Sequence, residues 1–385
     1  MGSPVGQQLV RRGPSVPDRP TVSVLVLVLD RLDLLGGCLD TVGRATTQAT
    51  ETVVVANGTP AAALAVLERR EDIVLVRSEV NLGFGGGCNL AAEVARGRYL
   101  VFVNDDSRLD RHGVDRLIQR ANSVSDIGAV GSRILFEDGS LQEAGGIIWR
   151  DGTTAHVGRD RPADDISYRS PRDVDYCSAN GLLVTRSAWD AVGGFDETYY
   201  PAYYEDADLC MKLRARGFRV VYEPTATLRH LETQSSSPAY RNFLMGRNRE
   251  RFRSRWRDAL VAHDVPPVTD RRGAIDRKVE ESRALPPLDP GASVGQASRP
   301  VDEVTGPEPV DDDGDMLRRQ LRHAAYAIEV KDAFIATLTN DLQEQIAREA
   351  RRAPVRRRVR AAGARFLTVL PPAVTTRLRS HRGHR

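Results

Sequence analysis

The two places where this chain could do chemistry are both acidic. In "YLVFVNDDSRL" (99–109), Asp105 and Asp106 follow directly on an apolar run. Adjacent carboxylates at the end of a buried strand repel one another unless a cation or hydrogen-bond donors neutralise them. A hard divalent ion held by one or two carboxylates and the phosphates of a substrate meets that need. An ordinary strand-end turn or helix N-cap meets it as well. In "YYPAYYEDADLCMKLRARGF" (199–218), Glu205, Asp206 and Asp208 open a helical pattern. The macrodipole favours negative charge there whatever the function. Tyr199–Tyr200 and Tyr203–Tyr204, just upstream, set aromatic faces beside those carboxylates. Such a surface suits a sugar, which stacks its C–H face and offers a hydroxyl proton to a base; packing and capping account for the cluster equally well. His230 ends the segment "VVYEPTATLRH" (220–230), as a structural imidazole or as a metal ligand.

A third feature is "NLGFGGGCNL" (81–90). Its glycines suggest a phosphate-binding turn, and Asp105–Asp106 follow at about the 20-residue distance of the ribose-binding acid in a dinucleotide fold. That fingerprint belongs after the first strand of its unit, however, and this turn follows the third apolar run. Cys88 also stands where the last glycine should be, so an NAD-type oxidoreductase is disfavoured.

The elements that must hold these groups are legible in the hydrophobic pattern. "TVSVLVLVL" (21–29) is a near-continuous β-branched and leucine run, as expected of a parallel strand buried on both faces. "ETVVVAN" (51–57), "DIVLVRS" (72–78) and "RYLVFVND" (98–105) repeat it, separated by helical stretches at 60–70 and 88–97. The alternation predicts a doubly wound α/β sheet, in which ligands bind beyond the carboxyl ends of the strands. Asp30, Asn57, Asn81, Asn104, Asp105 and Asp106 all fall at or just past those ends. The half from 126 to 230 is less regular, and "AYRNFLMGRNRERFRSRW" (239–256) reads as a basic amphipathic helix closing the domain.

Of 385 residues, 41% are hydrophobic and 28% charged, as in a soluble globular chain with extra polar material. The net charge of +3 hides an uneven distribution: residues 351–385 hold eleven arginines and no Asp or Glu. Such a block is a solvated tail or an anchor for anionic lipid. Cys38, Cys88, Cys177 and Cys210 show no metal-ligand or disulfide spacing, which fits a reduced, cytoplasmic compartment. The first 20 residues have no signal-peptide core and read as a disordered leader. Residues 259–315 lack aromatics and read as a disordered linker. Beyond them Leu317, Leu321, Ala324, Ile328, Ile335, Leu338 and Leu342 keep a 4-3 spacing with Lys331 in the gap. That pattern suits a coiled coil, pairing the chain as a homodimer through 316–350, or a helix lying on the main domain.

Taken in order, "VSVLVLVLD", "VVVANGT", "NLGFGGGCNLA", "VNDDS" and the block from "CSANGLLVTR" to "TLRH" resemble a family 2 glycosyltransferase, in particular its bacterial rhamnosyltransferase-like branch. The likeness covers about 21–256. It implies a GT-A fold over 21–258: a doubly wound mixed sheet with a Rossmann-like nucleotide half and an acceptor half, followed by the linker and a C-terminal helix. It also implies inverting, metal-dependent transfer from a nucleotide-sugar, dTDP-rhamnose first, to a glycan or lipid-linked acceptor in cell-surface polysaccharide synthesis.

Carried over residue by residue, the resemblance makes Asp206 the general base with Glu205 beside it. Asp106, with Asn104, Asp105 and His230, would hold Mg²⁺ or Mn²⁺. Leu29, Asp30, Asn57, Asn81, Gly83, Phe84, Gly85 and Asn89 would line the donor, and Asn180, Gly181, Tyr203 and Tyr204 the acceptor. Two departures stand out: Ala56 replaces the family's usual Asp before Asn57–Gly58, and the metal element reads Asn104–Asp105–Asp106. The protein would work in the cytoplasm, peripherally on the inner face of the membrane, with its arginine-rich tail on anionic lipid and no nucleic-acid partner. A non-catalytic scaffold with a transferase-like domain is the alternative, favoured only by Ala56.

Overall fold

The computed structural model describes residues 10–232, 237–288 and 313–352. The strands are β1 Val10–Arg12, β2 Val22–Val28, β3 Thr50–Asn57, β4 Val74–Ser78, β5 Tyr99–Asn104, β6 Ser107–Leu109, β7 Ile127–Leu135, β8 Leu141–Glu143, β9 Gly146–Ile148, β10 Thr154–His156, β11 Arg172–Asp173, β12 Leu182–Thr185 and β13 Arg219–His230. The helices are α1 Leu32–Ala45, α2 Ala61–Leu67, α3 Gly83–Val94, α4 Gly113–Ser123, α5 Arg186–Val192, α6 Glu205–Ala215, α7 Pro238–Arg255, α8 Arg257–Leu260, α9 Arg271–Glu281 and α10 Asp313–Arg352.

The main sheet runs β1-β4-β3-β2-β5-β12-β7-β13-β11. β4, β3, β2 and β5 are parallel, and β12 joins β5 antiparallel. Because β3 lies on one side of β2 and β5 on the other, the connections diverge there, and a crevice opens at the carboxyl ends of β2 and β5. Asp30 lies just past the first of these strands, and Asn104, Asp105 and Asp106 end the second. Strand alternation divides the core between two faces: Val22, Val24, Val26 and Val28 face a layer with α1 and α4, and Leu25 faces α3, α5 and α6. All four cysteines are buried and free. No helix among the described residues is long and apolar enough to cross a membrane.

Two expected boundaries move. Within the predicted leader, Val10–Arg12 pair with β4, and Arg12 donates to Glu51 and to the Val94 carbonyl. An open sheet edge binds any extended backbone, so a segment without a core of its own still orders there; residues 1–9 lie outside the described residues. Within the predicted linker, α8 and α9 form, and Ala274 and Leu285 are buried. Leu285 donates its amide to the Pro171 carbonyl, so backbone pairing and two small apolar contacts replace the missing aromatics. Residues 289–312 and the tail beyond 352 lie outside the described residues.

Residues up to Ala327 form one compact unit and those from Ile328 a second. In the first, Leu317 and Leu321 are exposed, as are Ile328, Ile335 and Leu338 in the second.

The returning segment is held by a buried ion pair. Arg120, 1% exposed, donates from Nε to Glu223 Oε2 at 2.8 Å and from Nη2 to the Pro286 carbonyl at 2.8 Å. Removing one partner of such a pair strands the other charge in the core, at a cost of about 3–5 kcal/mol. Glu223→Ala should therefore lower the unfolding free energy by about 3 kcal/mol or more in urea titrations. A loss under about 1 kcal/mol would contradict the buried-charge account.

Candidate active site

The strand-end acids sit as the sequence suggests. Asp106 is buried, and its Oδ1 lies 3.0 Å from His230 Nε2. β6 and β13 bring the two together, with Ser107 opposite His230 in the register. Asn104 Nδ2 is 3.4 Å from the same imidazole nitrogen. The other ring nitrogen, Nδ1, faces Gln142 Oε1 at 3.0 Å. The Gln142 contact on Nδ1 turns Nε2 toward Asp106 and Asn104, the outer-partner arrangement found behind a metal-binding histidine.

Asp105 does not complete a cage. Among the described residues no group of three or more His, Cys, Asp and Glu side chains converges. Its carboxyl is pushed up to about 7 by burial and by the adjacent charge of Asp106, with Arg31 opposing. This donor set still fits a divalent cation of the Mg²⁺ or Mn²⁺ type, which takes one or two protein ligands and leaves the rest to phosphate and water. A further polar atom points the same way. Asn180 accepts from the Asn104 amide and from Ser107 through Oδ1, while its buried Nδ2 has no protein partner. A ligand oxygen beside Asn104 would satisfy it.

The second acidic group opens α6. Asp206 Oδ1 accepts from the Ala207 amide, and burial pushes its carboxyl up to about 6, with Glu143 adding to the rise and His156 opposing it. Glu205 is driven far higher by burial and by Asp206, and its Oε2 has no partner. Both carboxyls are thus raised, Glu205 further than Asp206, and neighbouring carboxyls driven apart in this way suit acid–base chemistry. β8 connects the two acidic centres: Gln142 backs His230, and the next residue, Glu143, acts on Asp206.

The aromatic pairs split by role. Tyr199 and Tyr204 are buried; their hydroxyls donate to Asp208 and to the Gly152 carbonyl. Tyr204, expected on the acceptor, thus packs in the core against Phe252. Tyr200 and Tyr203 keep part of their surface open. Gly181 sits at φ 77°, where a Cβ would meet Leu228, and its backbone donates to the Phe102 carbonyl and accepts from Ser132.

The glycine segment differs most from expectation. Gly83–Gly87 form the first turns of α3, and each is small because something packs on it. A Cβ on Gly83 would meet the Pro201 carbonyl at 2.7 Å, on Gly85 Phe195 at 3.2 Å, on Gly86 His323 at 2.6 Å and on Gly87 Leu27 at 2.4 Å. Asn57 spends its amide on the same turn, accepting from Leu82 and donating to the Gly83 carbonyl. Asn81 accepts from the Gly83 amide, and Asn89 holds both backbone groups of Phe195. Phe84 meets Phe195 edge-on and donates its amide to the Pro201 carbonyl. Asn57, Gly83, Phe84, Gly85 and Asn89 thus seat α3 against the 195–201 loop. Leu29 and Asp30 are exposed above the crevice, and Ala56 is buried with no polar group to offer.

Several residues that position the site carry no sequence signal. Asn248, fully buried on α7, donates from one amide nitrogen to the carbonyls of Tyr199, Ala202 and Tyr203, each at 2.9 Å. Arg251 and Arg247 hold the Thr198 and Tyr200 carbonyls, so the basic helix serves backbone oxygens. This loop passes through positive φ at Tyr203 (79°) and Tyr204 (77°), costly for non-glycine residues. Glu197, in the same loop, accepts from Asn89 and pairs with His323 Nε2 at 2.9 Å. Arg319, one turn earlier, binds Glu93 on α3.

Asn248→Ala would leave three carbonyls short of a donor and free the strained loop. It should cost about 1–3 kcal/mol and speed amide exchange across residues 199–206, with β2 to β5 unchanged. Uniform exchange in that loop and in the sheet would show that Asn248 has no local hold on it.

Comparison with known proteins agrees with this geometry. Residues 23–179 match the family model of Glycosyl transferase family 2. The chain is 32% identical over 228 residues to the O-antigen biosynthesis protein RfbC of Myxococcus xanthus, covering 56% of this chain and 18% of that protein. It is 31% identical over 202 residues to the N-acetylglucosaminyl-diphospho-decaprenol L-rhamnosyltransferase of Mycobacterium tuberculosis, covering 47% of this chain and 64% of the relative. The match therefore spans less than two thirds of either relative's own length. Among solved structures, GalNAc-T7 with UDP, GalNAc and Mn²⁺ superposes with a TM-score of 0.50 at 14% identity, over 63% of this chain and 50% of that one, a likeness of fold. Over residues 23–179 the chain is thus similar to glycosyl transferase family 2, on a GT-A fold and with a likeness to bacterial rhamnosyltransferases.

Proposed function

We propose that the protein transfers a sugar from a nucleotide-sugar to a hydroxyl of a glycan or lipid-linked acceptor, inverting the anomeric centre, in the synthesis of a cell-surface polysaccharide. The observation that carries this reading is the pairing of two unlike acidic centres through β8: the Asp106–His230 pair and a half-buried Asp206 at the start of α6. A rhamnose donor is favoured by the likeness to the mycobacterial L-rhamnosyltransferase.

Asp106 and His230, with Asn104 beside them, would hold Mg²⁺ or Mn²⁺ against the donor diphosphate. When bound, the cation supplies positive charge to the leaving group as it gains negative charge. Leu29, Asp30 and Asn81 edge the crevice where the nucleotide would lie, and Asn180 Nδ2 offers a hydrogen bond to a ligand oxygen. Asp206 takes the acceptor's hydroxyl proton as that oxygen attacks the anomeric carbon, and the C–O bond to the diphosphate breaks with its electron pair on the phosphate. A single displacement of this kind inverts configuration. Glu205, its carboxyl raised by burial, stands beside the base with its Oε2 open to a substrate group. Tyr203, half open at the mouth of the loop, is positioned to stack on the acceptor sugar.

The exposed apolar seam of α10 supports pairing of two chains as a homodimer, and the arginine-rich tail supports contact with an anionic membrane from the cytoplasmic side.

Two variants test the assignments. Asp206→Asn should keep donor affinity and lose about 10²–10⁴-fold in turnover, the usual worth of a general base; near-native turnover with dTDP-rhamnose would refute the base. Asp106→Ala should abolish the Mn²⁺-dependent part of dTDP-rhamnose binding in calorimetry. An unchanged metal dependence would remove Asp106 from the cation site.

A further inference from the structure

His230 stands at the point where β13 leaves the sheet. The ladder to β7 ends at Arg229 and the ladder to β6 at His230 itself, so strand pairing does not hold the backbone beyond the imidazole. Two contacts take over. Leu231 donates its amide to the Asp106 carbonyl at 3.2 Å, which carries the chain across the first acid. Glu232 then turns through φ 51°, a left-handed conformation that persists in a non-glycine residue only where its surroundings hold it. Its carboxylate is gripped by Arg159, whose Nη2 donates to Oε1 at 3.0 Å and to Oε2 at 2.9 Å. The guanidinium lies 4.9 Å from the centroid of the Phe136 ring. That is inside the reach of about 6 Å within which an aromatic face attracts a cation.

Both supports are themselves fixed. Phe136 follows β7 in a turn closed by its amide on the Ser140 carbonyl at 2.9 Å and by Asp138, which accepts from the Ser140 amide and hydroxyl. Arg159 stands between Gly158 at φ 74° and Asp160 at φ 65°, in a kink laid along β8. Asp160 donates to the Leu141 carbonyl and Leu141 to the Arg161 carbonyl, each at 2.8 Å. A Cβ on Gly158 would sit 2.4 Å from the Leu141 side chain, so the kink lies flat on the strand. β8 therefore bears on His230 twice: Gln142 touches the ring, and Leu141 anchors the loop that grips Glu232.

The geometry points to Arg159 as a positioning residue of the cation site, acting through Glu232 to hold the turn that keeps His230 against Asp106. This rests on the reading of Asp106 and His230 as cation ligands. The Arg159 and Glu232 side chains are 36% and 38% exposed, and a pair so open to solvent contributes little to global stability. Its effect falls on the ligand. Groups that touch a metal-binding histidine are worth about 10–100-fold in metal affinity, and a clamp one step further out is worth about three- to tenfold.

The test is Mn²⁺ binding by the full chain in the presence of dTDP, read from the electron paramagnetic resonance of the free ion, with Tm measured alongside. Arg159→Met and Glu232→Ala should each raise the Mn²⁺ Kd about three- to tenfold with Tm nearly unchanged, and the double variant should be no worse than either. Glu232→Gly should bind more tightly than Glu232→Ala, because glycine adopts the left-handed turn without a clamp. A Kd raised less than about twofold in Arg159→Met, or losses that add in the double variant, overturns the proposal and leaves His230 as a ligand. If Asp106→Ala binds Mn²⁺ as tightly as the unaltered chain, the cation site falls and the proposal with it.

Discussion

Everything at the site depends on how closely α3 can approach its neighbours. Four glycines in its first two turns remove the side chains that would hold it off, and Leu27, the 195–201 loop and His323 fill the space. That contact fixes where the loop begins; Asn248 fixes where it ends. Between these anchors the chain is forced through two left-handed tyrosines and delivers Asp206 at a helix start. Asp206, the proposed base, is therefore placed by packing and backbone hydrogen bonds, the kind of preorganisation that catalysis by positioned charge requires.

Electrostatics is shared out along one short strand. Successive residues of β8 serve different centres, Gln142 backing His230 and Glu143 holding His156. The period-2 alternation of strand side chains makes this economical, because two residues can face two environments without a turn between them. It also means that any shift of β8 would disturb both centres together.

The nucleotide half was legible from the sequence because its strands are continuous apolar runs and its polar residues fall at strand ends. Asp106, Glu205, Asp206 and His230 were visible for the same reason: acidic and imidazole groups next to apolar runs are unusual enough to notice. The packing role of the glycine turn was not legible because glycine is used both for close approach to a ligand and for close approach to protein, and only the neighbours show the second. Asn248, Glu143 and His156 carried no local signal, since each acts on a partner at least 13 residues away across irregular chain. The order within 10–20 and 259–288 was missed because it rests on backbone pairing and small contacts, which composition does not register.

The start of α10 has a practical meaning for where this domain ends. The family match closes at Ala179, just before β12, and the resemblance near 256, yet Arg319 and His323 complete the surroundings of Glu93 and Glu197. Glu197 is half-buried, and burial opposes its charge while His323, Asn89 and Arg319 hold its carboxyl down at about 2. An excised domain ending at Leu260 would keep every catalytic candidate and still leave that anion facing a bare glycine face. The functional unit is thus discontinuous in sequence, its last piece arriving some sixty residues after the core appears finished.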